Sequence, residues 1–134
     1  MEIQFVVIGR LTREFLLPVN GEPRLDVAGG SLLYAAAGIG VWESGVGLVG
    51  RVGNDYPRAW LNQVKKHGFD TSGIRIQPQN LDVREFIAYN ESYEANRVNP
   101  VSHFARRQMT VPKSLLGFQQ DKKPDFPKPA VSAK

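Results

Sequence analysis

The spacing of hydrophobic positions changes several times along this chain, and each change marks an element. "IQFVVIG", Ile3 to Gly9, is an almost unbroken apolar run rich in Val and Ile, the pattern of a strand covered on both faces. "EFLLPV", from Glu14, reads as a short strand that Pro18 ends or confines to an edge. "NGEP", Asn20 to Pro23, is a turn signal, and "RLDV" is the returning strand of a hairpin. A helix follows Gly30, with Ser31 at or beside its N-cap, where the hydroxyl can accept a backbone N–H. Leu32, Leu33, Ala36, Ile39 and Trp42 surround that helix instead of forming one stripe, which predicts burial. "GVGLVGRVG", Gly45 to Gly53, reads as a buried strand and a loop. In "NDYPRAWLNQVKKHGF", Asp55 is the expected N-cap and Pro57 falls in the first turn. Trp60, Leu61 and Val64 form the buried face of that helix. Lys65, Lys66 and His67 complement its negative end, and Gly68 stops it. "GIRIQ" and "VREFIAYN" read as two more strands, the second with Arg84, Phe86 and Ala88 on one face and Glu85, Ile87 and Tyr89 on the other. "NPVSHFARRQM" holds a short helix, and "DKKPDFPKPAVSAK" has little to bury and reads as a tail.

This order describes an α/β unit. One βαβ crossover joins the first run to "GLVG", while the hairpin and the later strand pair make a small second sheet. The 134 residues suit one domain with a modest core, and 42% hydrophobic with 22% charged residues is the balance of a soluble globular protein. No apolar run is long enough to span a bilayer, and "MEIQFVVIGR" lacks a basic n-region, so neither a membrane partner nor a signal peptide is predicted. The absence of cysteine excludes disulfides and thiolate-bound metals and fits a reducing compartment. The expected location is the cytoplasm. The net charge of +4 raises the question of a polyanion partner. Much of it lies in Arg106, Arg107, Lys113 and the terminal lysines, with no recognition helix or aromatic-basic motif. A solvated surface is therefore favoured over nucleic-acid binding, which would show a steep salt dependence.

Two glycine patterns are candidates for ligand contact. Gly45, Gly47 and Gly50 match G-x-G-x-x-G, but that fingerprint needs a strand before it and a helix start after it, and here the order is reversed. They are assigned to packing and turns. Gly29 and Gly30 do lie between a strand and a helix start, where bare backbone and unpaired N–H groups can approach a ligand; a simple turn is the alternative. Tyr34, one turn on, either lines the same pocket or belongs to the core. His67 and His103 are isolated and form no metal site. Arg97, Asn99, His103 and Arg106 follow the last strands, where a solvated surface is favoured over ligand contact.

Taken together, "VVIGRLTREFLLP", "VAGGSLLYAAAG" and "GLVGRVGNDYPRAWLNQVKKHGFDTSGI" resemble the N-terminal part of the ribokinase-like (PfkB) carbohydrate kinases. The resemblance covers roughly residues 3–90. It implies an α/β fold: part of a three-layer α/β/α core with a small β-sheet lid, and phosphoryl transfer from ATP to a sugar hydroxyl. On that resemblance Gly29 and Gly30 match the sugar-binding Gly-Gly pair, and Glu14 stands where an aspartate usually binds sugar hydroxyls. Tyr34 replaces a common asparagine, and Thr12 joins the substrate-binding set, whose ligand is a sugar or polyol. The family's late "G-A-G-D" anion-hole and base motif is absent from this sequence. No catalytic residue is assigned, and ATP and Mg2+ belong to the complete family enzyme rather than binding tightly here. Residues 1–115 are expected to form the N-terminal part of the kinase domain and 116–134 a Pro/Lys-rich tail. The alternative is a non-catalytic binding or assembly module derived from the same fold. Phe15, Leu17 or Phe86 on a lid face with no helix of its own predicts a homodimer through the lid strands; the rival is a monomer whose basic tail folds back and shields the sheet.

Overall fold

The computed structural model describes residues 1–96 and 100–118. Two sheets divide the chain. The core sheet has the order β1-β4-β5, from β1 (Phe5–Ile8), β4 (Val46–Val52) and β5 (Asp70–Ile76), all parallel. The lid sheet has the order β3-β2-β6-β7, from β2 (Thr12–Leu17), β3 (Arg24–Gly29), β6 (Arg84–Tyr89) and β7 (Ala95–Asn96). Its central pair β2/β6 is parallel and both flanking pairs are antiparallel. The expected hairpin is β2/β3. "GIRIQ" departs from expectation: it does not pair with "VREFIAYN" but extends the core sheet beside β4. An apolar period identifies a strand, not its neighbour.

Helices α1 (Ser31–Gly40) and α2 (Arg58–Lys66) cover one face of the core sheet. Leu32 and Ala36 of α1 meet Val46, Leu48, Val52 and Ile74, and Trp60, Leu61 and Val64 of α2 complete the cluster. The opposite face carries Val6, Ile8 and Val49, all exposed. The described residues thus build two of the three layers. Burial of α1 on all sides does not occur. Only Leu32 and Ala36 are buried, whereas Tyr34, Val41 and Trp42 face outward, Trp42 with 84% of its surface exposed.

Gly68 ends α2 in a left-handed conformation, φ +93°, as its position predicts. Asp55 does not cap that helix; Pro57 occupies the N-cap. The Asp55 carboxylate instead accepts the Leu81 N–H at 3.0 Å, while Asn54 N–H donates to the Gln79 carbonyl at 2.9 Å. The "GND" turn therefore fastens the segment that carries the chain from core sheet to lid.

The lid also has a cover that the sequence reading lacked. Phe15, Leu17, Phe86 and Ala88 point to one face, and Phe104 of α3 (Pro100–Arg106) and Leu115 of a 3-10 turn (Lys113–Leu115) close it. The Phe86 and Phe104 rings lie 5.8 Å apart. Arg84 secures the arrangement, pairing with Asp82 and donating from Nη1 to the carbonyls of Ser114 (3.0 Å) and Leu116 (2.9 Å). The face expected to drive lid-to-lid pairing is thus internal, with Phe15 and Phe86 fully buried. Residues 119–134, most of the expected tail, lie outside the described residues, as do Arg97 and Asn99.

Candidate functional site

Where the lid meets the core, β2, the end of β3 and the start of α1 converge. Thr12, Glu14, Gly29, Gly30 and Tyr34 come together there. Thr12 and Glu14 alternate onto the same face of β2, and the β2/β3 register sets Thr12 opposite Gly29. Gly29 carries no side chain because the Glu14 carboxyl group lies where its Cβ would be. Gly30 has φ +100°, and a Cβ there would strike the Arg10 carbonyl and the Thr12 nitrogen. One glycine makes room for a side chain and the other for backbone. The junction is tied by Leu32 N–H donating to the Arg10 carbonyl (3.1 Å) and Arg10 N–H donating to Ser31 Oγ (3.2 Å).

Glu14 is 3% exposed. Its Oε1 accepts the Gly30 N–H at 3.1 Å and faces the Thr12 hydroxyl at 3.4 Å. Its Oε2 accepts the Tyr34 hydroxyl at 2.6 Å. Burying a carboxylate is costly unless it is hydrogen-bonded, and these donors, with the positive end of α1 beside them, meet that demand. Tyr34 is 61% exposed, so the donor on Oε2 is a side chain free to swing into solvent. The bond to Glu14, followed by partial burial, pushes the Tyr34 pKa up to about 12, so the phenol remains a donor throughout the neutral range. A hydroxyl-bearing ligand can replace that donor on Oε2 with one of its own.

On the neighbouring side, Arg13 forms a bidentate pair with Asp26 (Nε–Oδ1 2.8 Å, Nη2–Oδ2 2.6 Å). Asp26 sits at the irregularity of the β2/β3 ladder with φ +57°. The ion pair holds a residue that would otherwise avoid this conformation. "RLDV" supplies no signal for the pairing, because Arg13 and Asp26 meet only once the hairpin register is set. Gly47 and Gly50 lie inside β4 and Gly45 in the turn before it, away from any helix start. His67 Nδ1 lies 2.8 Å from the Gln63 carbonyl at the end of α2.

This architecture is the ribokinase-like fold in part: a parallel core, a Gly-Gly junction opening a helix, and a lid over the junction. It overlays ribokinase from Giardia lamblia with a TM-score of 0.61 at 21% identity, over 73% of this chain and 33% of that one. Ribokinase from Cryptococcus neoformans var. grubii serotype A, solved in complex with ADP, gives 0.57 at 18%, over 73% and 33%. In sequence, the cytidine kinase of Thermococcus kodakarensis is 33% identical over 76 residues, 57% of this chain and 27% of that protein. No protein-family model matches the chain. The chain therefore spans about a quarter to a third of the length of these relatives. Among the described residues no group of three or more His, Cys, Asp or Glu side chains converges as a metal site would require. Nor is any helix among them long and apolar enough to cross a membrane.

Proposed function

We propose that this chain is the substrate-recognition and lid portion of a ribokinase-like kinase, and that its site takes the hydroxyl groups of a sugar or nucleoside. The observation that carries this reading is the Glu14 carboxylate, buried over Gly29 and held by an exposed, displaceable phenol. Carboxylates bind vicinal hydroxyls well because they only accept, and each hydroxyl brings one donor. In the ligand-bound state one ligand hydroxyl donates to Oε2 in place of Tyr34, while Gly30 and Thr12 keep Oε1 oriented. The freed Tyr34 ring then lies beside the ligand and offers an apolar face. A furanose carrying a base fits that ring better than a bare polyol does, in keeping with the cytidine kinase likeness.

Phosphoryl transfer needs groups that cradle the phosphates and orient the acceptor hydroxyl. We assign those, with ATP and Mg2+, to the part of the relatives' length that this chain does not span. Titration calorimetry with cytidine and with ribose tests the binding half of the proposal. Glu14→Ala is expected to weaken binding by about 1.5–3 kcal/mol, the scale of a hydrogen bond to a charged group. Equal binding by the variant refutes the role. A coupled ADP assay tests the other half: the chain alone is expected to give no sugar- or nucleoside-dependent turnover, and activity that survives repurification overturns the division of labour.

A further inference from the structure

At the opposite end of the lid, β2 and β6 run out into a second cavity of about 650 Å³, lined among others by Asn20, Tyr89, Tyr93, His103, Arg106 and Arg107. Asn20 lies six residues beyond Glu14, roughly 20 Å along an extended chain, so the two sites are separate. Three features of this cavity are unusual for plain surface. First, the His103 ring packs 5.9 Å from Phe86, and its Nε2 is buried without a hydrogen-bond partner. Buried polar atoms are nearly always paired. Burial, then the charges of Arg106 and Arg107, lower the His103 pKa and favour the neutral ring, whose nitrogens comprise one donor and one acceptor.

Second, an aromatic side chain is held at the rim on strained backbone. Tyr93 has φ +60° and is 74% exposed. The turn that imposes this is closed by Asn90, whose Oδ1 accepts the N–H groups of Ser92 (3.0 Å) and Glu94 (2.9 Å). Third, the lining includes two arginines, Arg106 and Arg107, and one acidic residue, Glu91. Arg107 Nη2 donates to the Pro18 carbonyl at 2.6 Å and so is fixed to the end of β2. Arg106 has no such anchor among the described residues.

We infer that this cavity is a second ligand site, built for a small sugar phosphate. Arg106 and the remaining N–H groups of Arg107 take the phosphoryl oxygens, a geometry that guanidinium forks match. Asn20 and Asn96 meet hydroxyls, and the Tyr89 and Tyr93 rings pack on the sugar's C–H face. The volume lies in the range of small-molecule pockets.

The experiment is an amide NMR titration of the full chain with glucose 6-phosphate, glucose and inorganic phosphate in parallel. Glucose 6-phosphate is expected to shift Asn20, Tyr93, His103 and Arg106 while leaving Gly30 and Tyr34 in place. Glucose and phosphate alone should bind about tenfold or more weakly, on the scale of one lost charge-assisted contact. Arg106→Ala, at an exposed position, should cost a similar factor with the rest of the spectrum unchanged, whereas Glu14→Ala should cost nothing here. The proposal is overturned by no shift at millimolar ligand or by shifts centred on Gly30 and Tyr34. It is equally overturned if glucose or phosphate binds as tightly as glucose 6-phosphate, or if Arg106→Ala is silent. Because Glu14 is spared, failure here leaves the first site untouched, and failure there leaves this one.

Discussion

Glu14, Gly29 and Tyr34 act as one unit, because the space Gly29 leaves is the space Glu14 occupies to reach the Tyr34 hydroxyl. Gly29→Ala is therefore expected to expel the carboxylate and abolish binding at the first site while the chain still folds. Gly30→Ala is a different lesion, since it forces a left-handed backbone and a clash with the Arg10 carbonyl. It should destabilise by more than about 1 kcal/mol, readable in urea denaturation. Tyr34→Phe removes the competitor on Oε2 and should tighten cytidine binding by up to about tenfold, the worth of one such hydrogen bond. Weaker binding by the phenylalanine variant would mean that the hydroxyl contacts the ligand instead of yielding to it.

The same bond has a signature in alkali. Tyr34 and Tyr56 both have folded-state pKa values of about 12, the first mainly through its bond to Glu14 and the second through burial. Each holds its proton more tightly folded than unfolded, where a phenol ionises near 10. Their contribution to stability is thus complete below pH 10 and is lost as pH rises through 12. Phenolate absorbance should show both ionising near pH 12, and Tyr34→Phe should delete one of the two.

At the scale of elements, the lid holds its own core beneath α3. Phe86→Ala is expected to cost about 3–5 kcal/mol, the range for a buried phenylalanine, and to melt the lid before the core sheet in hydrogen exchange. Arg84→Ala should loosen the same cover from outside by freeing the carbonyls of Ser114 and Leu116. The alternation of Phe15 with Leu17 and of Phe86 with Ala88 was legible, since period two along a strand is a local property. Their burial under α3 was not, because a short helix some fifteen residues downstream reveals no docking partner in its own pattern.

For the whole molecule, the consequence of having two layers is an unmatched surface. Parallel strands are normally covered on both faces, yet Val6, Ile8 and Val49 are exposed on one face, and Val41 and Trp42 are exposed at the end of α1. Among the described residues β1 is an edge strand of the core sheet, the kind of position that invites pairing with another chain. The chain alone is expected to bind a hydrophobic dye such as ANS and to self-associate in sedimentation runs, both reduced by Ile8→Glu. A dye-silent monomer would show that these positions are shielded. Association, if found, is thereby moved from the lid face to the core sheet.

What the sequence determined by itself was local: the periods of the strands and helices and the Gly68 stop, with Gly29-Gly30 left open between a ligand approach and a simple turn. Glu14 and Tyr34 could be set beside those glycines only by resemblance, since twenty residues separate the two and no periodicity links them. Beyond the β2/β3 hairpin and the β1/β4 crossover, tertiary structure decided the choice of partner. β5 joined the core sheet, Asp55 left its helix for Leu81, and Arg13 met Asp26. The physical reason is common to all three: propensity and patterning act over a few residues, whereas strand neighbours and buried polar pairs are selected by packing between segments distant in the chain.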